Sequence, residues 1–253
     1  MQSQSRNEVA LGVRNLTLSY DREPVVQDIS FDVPRGAIVG VLGPNGAGKS
    51  TLIKAIVGAL SPDLGDIHVL GTSGKDALKR MTYVPQRGSV DWDFPVTVRD
   101  VVAQGCYARL GLWGKVRGKE AKVVDEALEM VSMTHLQHRQ IGALSGGQQQ
   151  RVFLGRALAQ RGEIYLMDEP FVGVDVKTEE AIVQVLRMLR DEGRTLLVVH
   201  HDLSTVREYF DHILLMNKHL IGFGKTEDIF VPDLLQDAYG GRLAIFEHGE
   251  GTL

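Results

Sequence analysis

The sequence has 253 residues, 43% of them hydrophobic and 24% charged, material enough for one large α/β domain or a core with a subdomain. A formal net charge of -4 gives no electrostatic footprint for nucleic acid. Cys106 is the single cysteine, which excludes an intrachain disulfide and suits a reducing compartment. Residues 1–10 lack the apolar run of a secretory leader, and no stretch approaches the length of a membrane-spanning helix.

In chain order, LGVRNLTLSY (11–20) and VVQDISFDVP (25–34) alternate apolar and polar residues, as half-buried antiparallel strands do. AIVGVLG (37–43) is a continuous apolar run ending in glycine, the pattern of a strand buried on both faces. A helix is predicted from about Lys49 to Leu60, then short strands near GDIHVLG (65–71) and MTYVPQ (81–86). Helical spacing takes over in VRDVVAQGCYARLG (98–111), GKEAKVVDEALEMVSM (118–133) and GQQQRVFLGRALAQ (147–160). EIYLMDE (163–169) and RTLLVVHHD (194–202) are again buried strands, with the helix TEEAIVQVLRMLRDEG (178–193) between them. A strand, a helix and a further parallel strand imply a right-handed crossover and a sheet covered on both faces. The expected fold is α/β: a P-loop nucleotide-binding core with a mixed, mainly parallel sheet and an antiparallel β subdomain, plus an inserted helical subdomain. Residues 1–86 and 161–230 would form the core, 87–160 the helical insertion and 231–253 a short tail.

The chemistry begins at Gly43-Pro44-Asn45-Gly46-Ala47-Gly48-Lys49-Ser50, with Thr51 beside it. This matches the P-loop pattern G-x-x-x-x-G-K-[ST] in its required place between a strand and a helix. Its glycines let successive amides curl around a β-phosphate, Lys49 neutralises β- and γ-oxygens, and Ser50 offers a hydroxyl to Mg²⁺. The apolar strand before Asp168 delivers that carboxylate to the end of the sheet where such folds bind ligands, able to hold Mg²⁺ together with Ser50. Glu169 follows, placed to orient or deprotonate an attacking water. A second glycine-rich helix start is LSGGQ: Leu144, the capping serine Ser145, Gly146, Gly147 and Gln148.

A P-loop, then LSGGQ, then an apolar strand ending in Asp-Glu, then a histidine after another apolar strand is the order found in ATP-binding cassette ATPases. The sequence resembles that family over residues 9–230. The resemblance implies that Leu144–Gln148 act in trans, Ser145, Gly146 and Gly147 binding the γ-phosphate of ATP held by a second copy's P-loop. It would make the functional unit a homodimer with two sandwiched nucleotides. It further implies that Gln86 reaches Mg²⁺ and the attacking water, that His201 contacts the γ-phosphate, and that Tyr20 stacks on adenine. Asp175 corresponds to the family's D-loop aspartate, although the loop reads Val-Gly-Val-Asp where Ser-Ala-Leu-Asp is usual.

Several residues admit plainer readings. Tyr20 could simply pack in its strand, but its strand-end position favours a ligand contact. His200 and His201 are adjacent, so their side chains leave a strand on opposite faces and cannot share a metal. His201 is taken as the functional one and His200 as structural. His135 and His138 have helical i, i+3 spacing without an accompanying carboxylate or cysteine, and read as a solvated helix end. Cys106 reads as a small buried hydrophobe.

Trp92, Phe94 and Pro95, rimmed by Asp91, Asp93 and Arg99, follow Gln86 in the region where the family docks a permease's coupling helix; the plainer reading is that the aromatics close the subdomain core. The expectation is therefore a peripheral ATPase at the cytoplasmic face of a membrane, working with integral permease subunits and, through them, an extracytoplasmic metal-binding protein. The stretches YVPQRGSVDWDFPVTVRDVV and VVHHDLSTV resemble ATPases of the manganese, zinc and iron cation importers, the manganese type above all. The alternatives are an engine for siderophore, haem or cobalamin import, or a cassette ATPase of cofactor assembly.

Overall fold

The continuous apolar runs become the centre of a sheet. In the computed structural model, which describes residues 8–20, 23–89, 92, 94–111 and 114–240, they are β3 (Ile38–Leu42), β6 (Ile164–Asp168) and β7 (Thr195–Val199), every residue buried. Among the described residues they join β5 (Met81–Val84), β8 (His212–Asn217) and β9 (His219–Lys225) in a six-stranded sheet of order β5-β6-β7-β3-β8-β9. Its pairings are parallel except for the antiparallel β8–β9 edge. The alternating stretches form β1 (Val9–Tyr20) and β2 (Glu23–Pro34), which with β4 (Leu64–Val69) make a three-stranded antiparallel sheet of order β2-β1-β4. The mixed, mainly parallel sheet and the separate antiparallel layer agree with the expected α/β fold.

Strand alternation divides the interior into two cores. Val39 and Val41, Ile164 and Leu166, and Leu197 and Val199 face one of them, which the antiparallel sheet and helix α1 (Lys49–Ile56) complete. Ile38 and Leu42, Tyr165 and Met167, and Leu196 and Val198 face the other. That second core is filled by α7 (Val176–Asp191) and by a helical layer, α3 (Val98–Gln104), α5 (Lys119–Met130) and α6 (Gly146–Gln160). Burial on both faces is why these strands carry no polar alternation. Among the described residues no helix is long and apolar enough to cross a membrane.

Four local expectations are corrected. The first helix stops at Ile56 rather than near Leu60, because the chain turns at Gly58, whose φ is 73°. The helix expected over 98–111 is two, α3 and α4 (Tyr107–Leu110). They break at Gly105, where a Cβ would lie 2.2 Å from the Arg156 carbonyl of α6. A short helix, α2 (Gly74–Lys79), and the β8–β9 hairpin were not expected. Finally, the stretch read as a tail begins with packed structure. After α8 (Val206–Tyr209) and α9 (Thr226–Ile229), helix α10 (Pro232–Tyr239) buries Leu235 and Ala238 against the sheet, because an apolar pair at i, i+3 gives it one inward face. Residues 241–253 of that tail lie outside the described residues.

Candidate functional site

The parallel strands end at one edge, and the candidate residues collect there. Gly43 follows β3 with φ 150°, in a position where a Cβ would lie 2.0 Å from the Met216 carbonyl, so only glycine fits. Gly48 caps α1 in the left-handed region at φ 94°, without any side-chain cap on the helix. The first-turn amides of α1 are thus left for a ligand. Lys49 is buried, and its Nζ donates to the carbonyls of Gly43 and Pro44 at 2.7 and 2.9 Å. Burial pushes its ammonium below the usual lysine range, against the opposing pull of Glu169 and Asp168. Asn45 and Gly46 are exposed at the loop's crest, Ala47 is buried, and Ser50 and Thr51 open α1.

Strand parity carries Asp168 to the same place. Met167 faces the helical core, so Asp168 faces α1, where its Oδ1 accepts from Ser50 Oγ at 3.0 Å. Asp168 is 3% exposed, and burial, reinforced by Glu169, pushes its carboxyl above the usual range while the Ser50 bond opposes the shift. The next residue turns sharply: Glu169 has φ 54°, unusual for a residue with a side chain. That turn re-aims its carboxylate at Gln86 and His201. Gln86 Nε2 donates to Glu169 Oε2 at 2.6 Å, and His201 Nε2 hydrogen-bonds Glu169 Oε1. Ser50, Gln86, Asp168, Glu169 and His201 are therefore one connected cluster beside Lys49.

The neighbouring histidine has a different environment. His200 is 4% exposed, bonds Thr205 Oγ1 at 2.8 Å, and lies among Phe171, Tyr209 and Phe210. Burial pushes its pKa down to about 4. His135 and His138 are exposed, and among the described residues no group of three or more histidine, cysteine or acidic side chains could hold a metal ion. Cys106 is buried.

The signature stretch stands elsewhere, on the helical layer. Leu144 is buried while Ser145 is exposed and caps α6 through a reciprocal box: its Oγ accepts from Gln148 N, and its own amide donates to Gln148 Oε1 at 2.9 Å. Ser145 makes those bonds within its own turn and none of them reaches the P-loop. A Cβ on Gly146 would lie 2.8 Å from Arg87 Nη1, and one on Gly147 3.1 Å from Thr178 Oγ1. Asp175 caps α7 through Thr178, so the starts of α6 and α7 lie side by side. Those hydrogen bonds hold the Asp175 carboxyl below its usual range.

Tyr20 ends β1 and is 44% exposed, available to a flat ring. The three apolar anchors expected for docking divide. Trp92 turns inward, edge-on to Phe153 at 5.0 Å, with Nε1 donating to the Arg87 carbonyl at 3.0 Å. Phe94 is 59% exposed and Pro95 is exposed beside it. Arg99 pairs with Asp125 on α5, and Asp91 and Asp93 lie outside the described residues. Arg87, Thr178 and Tyr239 were missed by the sequence reading. Arg87 adjoins Gln86, Thr178 lies three residues after Asp175, and Tyr239 carries no motif at all.

Comparison with known proteins gives the same grouping. The family model described as "ABC transporter" matches residues 26–172. The manganese transport system ATP-binding protein MntB of Bacillus subtilis is 52% identical over 92% of this chain and 93% of its own. The zinc transport system ATP-binding protein TroB of Treponema pallidum is 51% identical over 95% of this chain and 90% of its own. Among solved structures, a metal-chelate type ABC transporter in an inward-facing conformation superposes with a TM-score of 0.80 at 30% identity, covering 91% of this chain and 88% of that one. A nucleotide-free ATP-binding cassette gives 0.80 at 25% identity, covering 90% of this chain and 98% of that one.

Proposed function

The chain belongs to the ABC transporter family as an ATP-binding, ATP-hydrolysing subunit, and from that premise we propose that it powers uptake of a divalent metal cation, manganese, through a partner permease. Carrying this reading is the near-complete match to ATP-binding subunits of manganese and zinc transport systems at about half identity. Subunits of this kind dimerise and sit peripherally against membrane components. Here the permease would be integral, loaded from outside by a metal-binding protein, with this chain at the cytoplasmic face.

In this reading residues 1–86 and 161–230 form the nucleotide core and 87–160 the subdomain that carries the signature. Lys49 leaves the Gly43 and Pro44 carbonyls for the β- and γ-phosphate oxygens, an exchange of neutral acceptors for charged ones. The uncapped amides of α1 hold the β-phosphate. Tyr20 stacks on adenine. Glu169, steered by Gln86 and His201, takes the proton of the attacking water, and His201 also faces the γ-phosphate.

The oxygen donors fit Mg²⁺: Ser50 and Asp168 already touch, and the buried Asp168 carboxylate gains from a neighbouring cation. When bound with Gln86 as a further neighbour, Mg²⁺ supplies charge neutralisation for the phosphates. The signature residues Ser145, Gly146 and Gly147 complete the nucleotide site of a second copy, with Asp175 beside them. Two copies then close head to tail over two ATP molecules. Phe94 and Pro95 offer the permease its exposed apolar anchor, while Trp92 fixes the shape of that surface from below.

A metal-chelate cargo is the second reading, supported by the likeness to the metal-chelate type transporter. Reconstitution with the permease separates them, using ATP turnover stimulated by binding protein loaded with manganese, zinc or a ferric chelate. Stimulation by manganese is expected. Stimulation by the chelate-loaded protein alone would replace the cargo and leave the ATPase in place.

A further inference from the structure

The P-loop is held from behind by residues with none of the roles above. Gly43 packs against the Met216 carbonyl at the end of β8, and the Ala47 carbonyl accepts from Lys218 N at 2.9 Å. Both ends of the loop therefore lean on the β8–β9 turn. The Gly43 N–H points instead to α10, where Tyr239 Oη accepts it at 3.0 Å across 196 positions of sequence. The same end of α10 is pinned to the turn by Asn217 Nδ2, which donates to the Ala238 carbonyl at 3.0 Å. Leu235 and Ala238 are buried beneath it, so the tyrosine is delivered by a seated helix.

Gly43 is thus held on two sides, its N–H by Tyr239 and its carbonyl by Lys49 Nζ at 2.7 Å. Nucleotide binding recruits the lysine and removes one of the two restraints. We propose that Tyr239 is a positioning residue of the nucleotide site, its hydroxyl fixing the first P-loop glycine while Lys49 engages phosphate. The inference rests on the role given to Lys49 above. A phenol suits the task because it accepts an amide hydrogen without setting a full negative charge beside the phosphates. Burial pushes its proton affinity up, which keeps it neutral over the working range. Backbone amides left without an acceptor are costly in a partly buried setting, so the loop would otherwise adjust, and ATP would have to restore its curvature on binding.

Tyr239→Phe removes the acceptor and keeps the ring. The dissociation constant for a fluorescent ATP analogue and the KM for ATP should both rise about three- to ten-fold, in line with one lost hydrogen bond, while kcat stays within about two-fold. A purely structural contact would lower the melting temperature without moving KM. An unchanged KM and dissociation constant in the folded variant, or a fall in kcat at constant KM, overturns the proposal. If the phenylalanine variant does not fold, Asn217→Ala decides in the same way, since it loosens the end of α10 and leaves the hydroxyl present. A raised KM supports the role and an unchanged KM overturns it. Lys49→Ala serves as the control: unaltered affinity there would remove the P-loop reading itself, whereas a weakened Lys49 variant beside an unaffected Tyr239→Phe removes only the positioning role.

Discussion

The molecule contains two glycine-rich helix starts that look alike in sequence and differ in what they leave undone. At α1 the cap is Gly48, left-handed and without a side-chain acceptor, and the lysine that follows is folded back on carbonyls of its own loop. At α6 the cap is Ser145, closed by a reciprocal box with Gln148. Helices begin with orphan amides that something must satisfy. The first helix has no side chain for that work, and the second satisfies the Ser145 and Gln148 amides with its own side chains. The P-loop end should therefore govern affinity and chemistry. The signature end should be a preformed surface whose contribution appears only when a second copy meets it.

The largest effect tests whether chemistry belongs to the first end. Glu169→Gln should reduce ATP turnover by about 10²–10⁴-fold, the range for loss of a general base, while ATP still binds and favours the closed dimer. Turnover and dimerisation measured on one preparation decide it, and near-normal hydrolysis would remove Glu169 from the mechanism. Lys49→Ala should weaken nucleotide binding by about a hundredfold through lost charge-assisted bonds. Its loss of thermal stability without nucleotide should be far smaller, because burial already disfavours the ammonium. A loss of stability without a loss of affinity would make Lys49 a structural residue and break the contrast.

How much of this the sequence disclosed follows the same division. Motifs that need a fixed local backbone were legible: the P-loop, the Asp168–Glu169 strand end and the capped signature helix each announce their own turn. Strands buried on both faces were legible as apolar runs. Hidden were features that depend on a distant partner. Gly105, between α3 and α4, is a glycine because α6 lies against it, and no local pattern reports that approach. HILLMN and HLIGFGK pair only once β3 supplies an edge for β8. Position alone left Trp92 open between docking and closing the subdomain core, and Phe153 gives it the inward site. The Tyr239–Gly43 bond joins two ends of the chain, and sequence spacing carries no trace of it.

His200, buried at the end of β7 among Phe171, Tyr209 and Phe210, limits the pH at which the two helix starts can be compared. Its folded pKa of about 4 lies below the ordinary value near 6.5. Between these values the unfolded chain holds more protons, so His200 contributes its full stability above about pH 6.5 and loses it as pH falls towards 4. At about 1.4 kcal/mol per unit the loss approaches about 3 kcal/mol. The unfolding free energies of wild type and His200→Gln, from urea titrations between pH 7 and 4, should converge by that amount. Parallel curves would mean that the histidine charges without leaving its aromatic surroundings.

The smallest effect is the most discriminating. Ser145→Ala removes the α6 cap and should cost about 1 kcal/mol of stability without any nucleotide, measurable as a lowered melting temperature of the single chain. Its effect on ATP should appear only between copies. In a mixed dimer with the Ser145 defect on one chain and the Lys49 defect on the other, both fall in the same composite site and the opposite site stays whole. With both defects on one chain, each site loses one of its two grips. Nucleotide occupancy per site, read from dimers tagged differently on each chain, should therefore be one intact site in the first arrangement and none in the second. The capping box makes this a clean test, because Gln148 and the rest of α6 remain in both arrangements and the stability cost is the same. Indistinguishable occupancies would confine Ser145 to its own helix, and the second glycine-rich start would be a cap and nothing more.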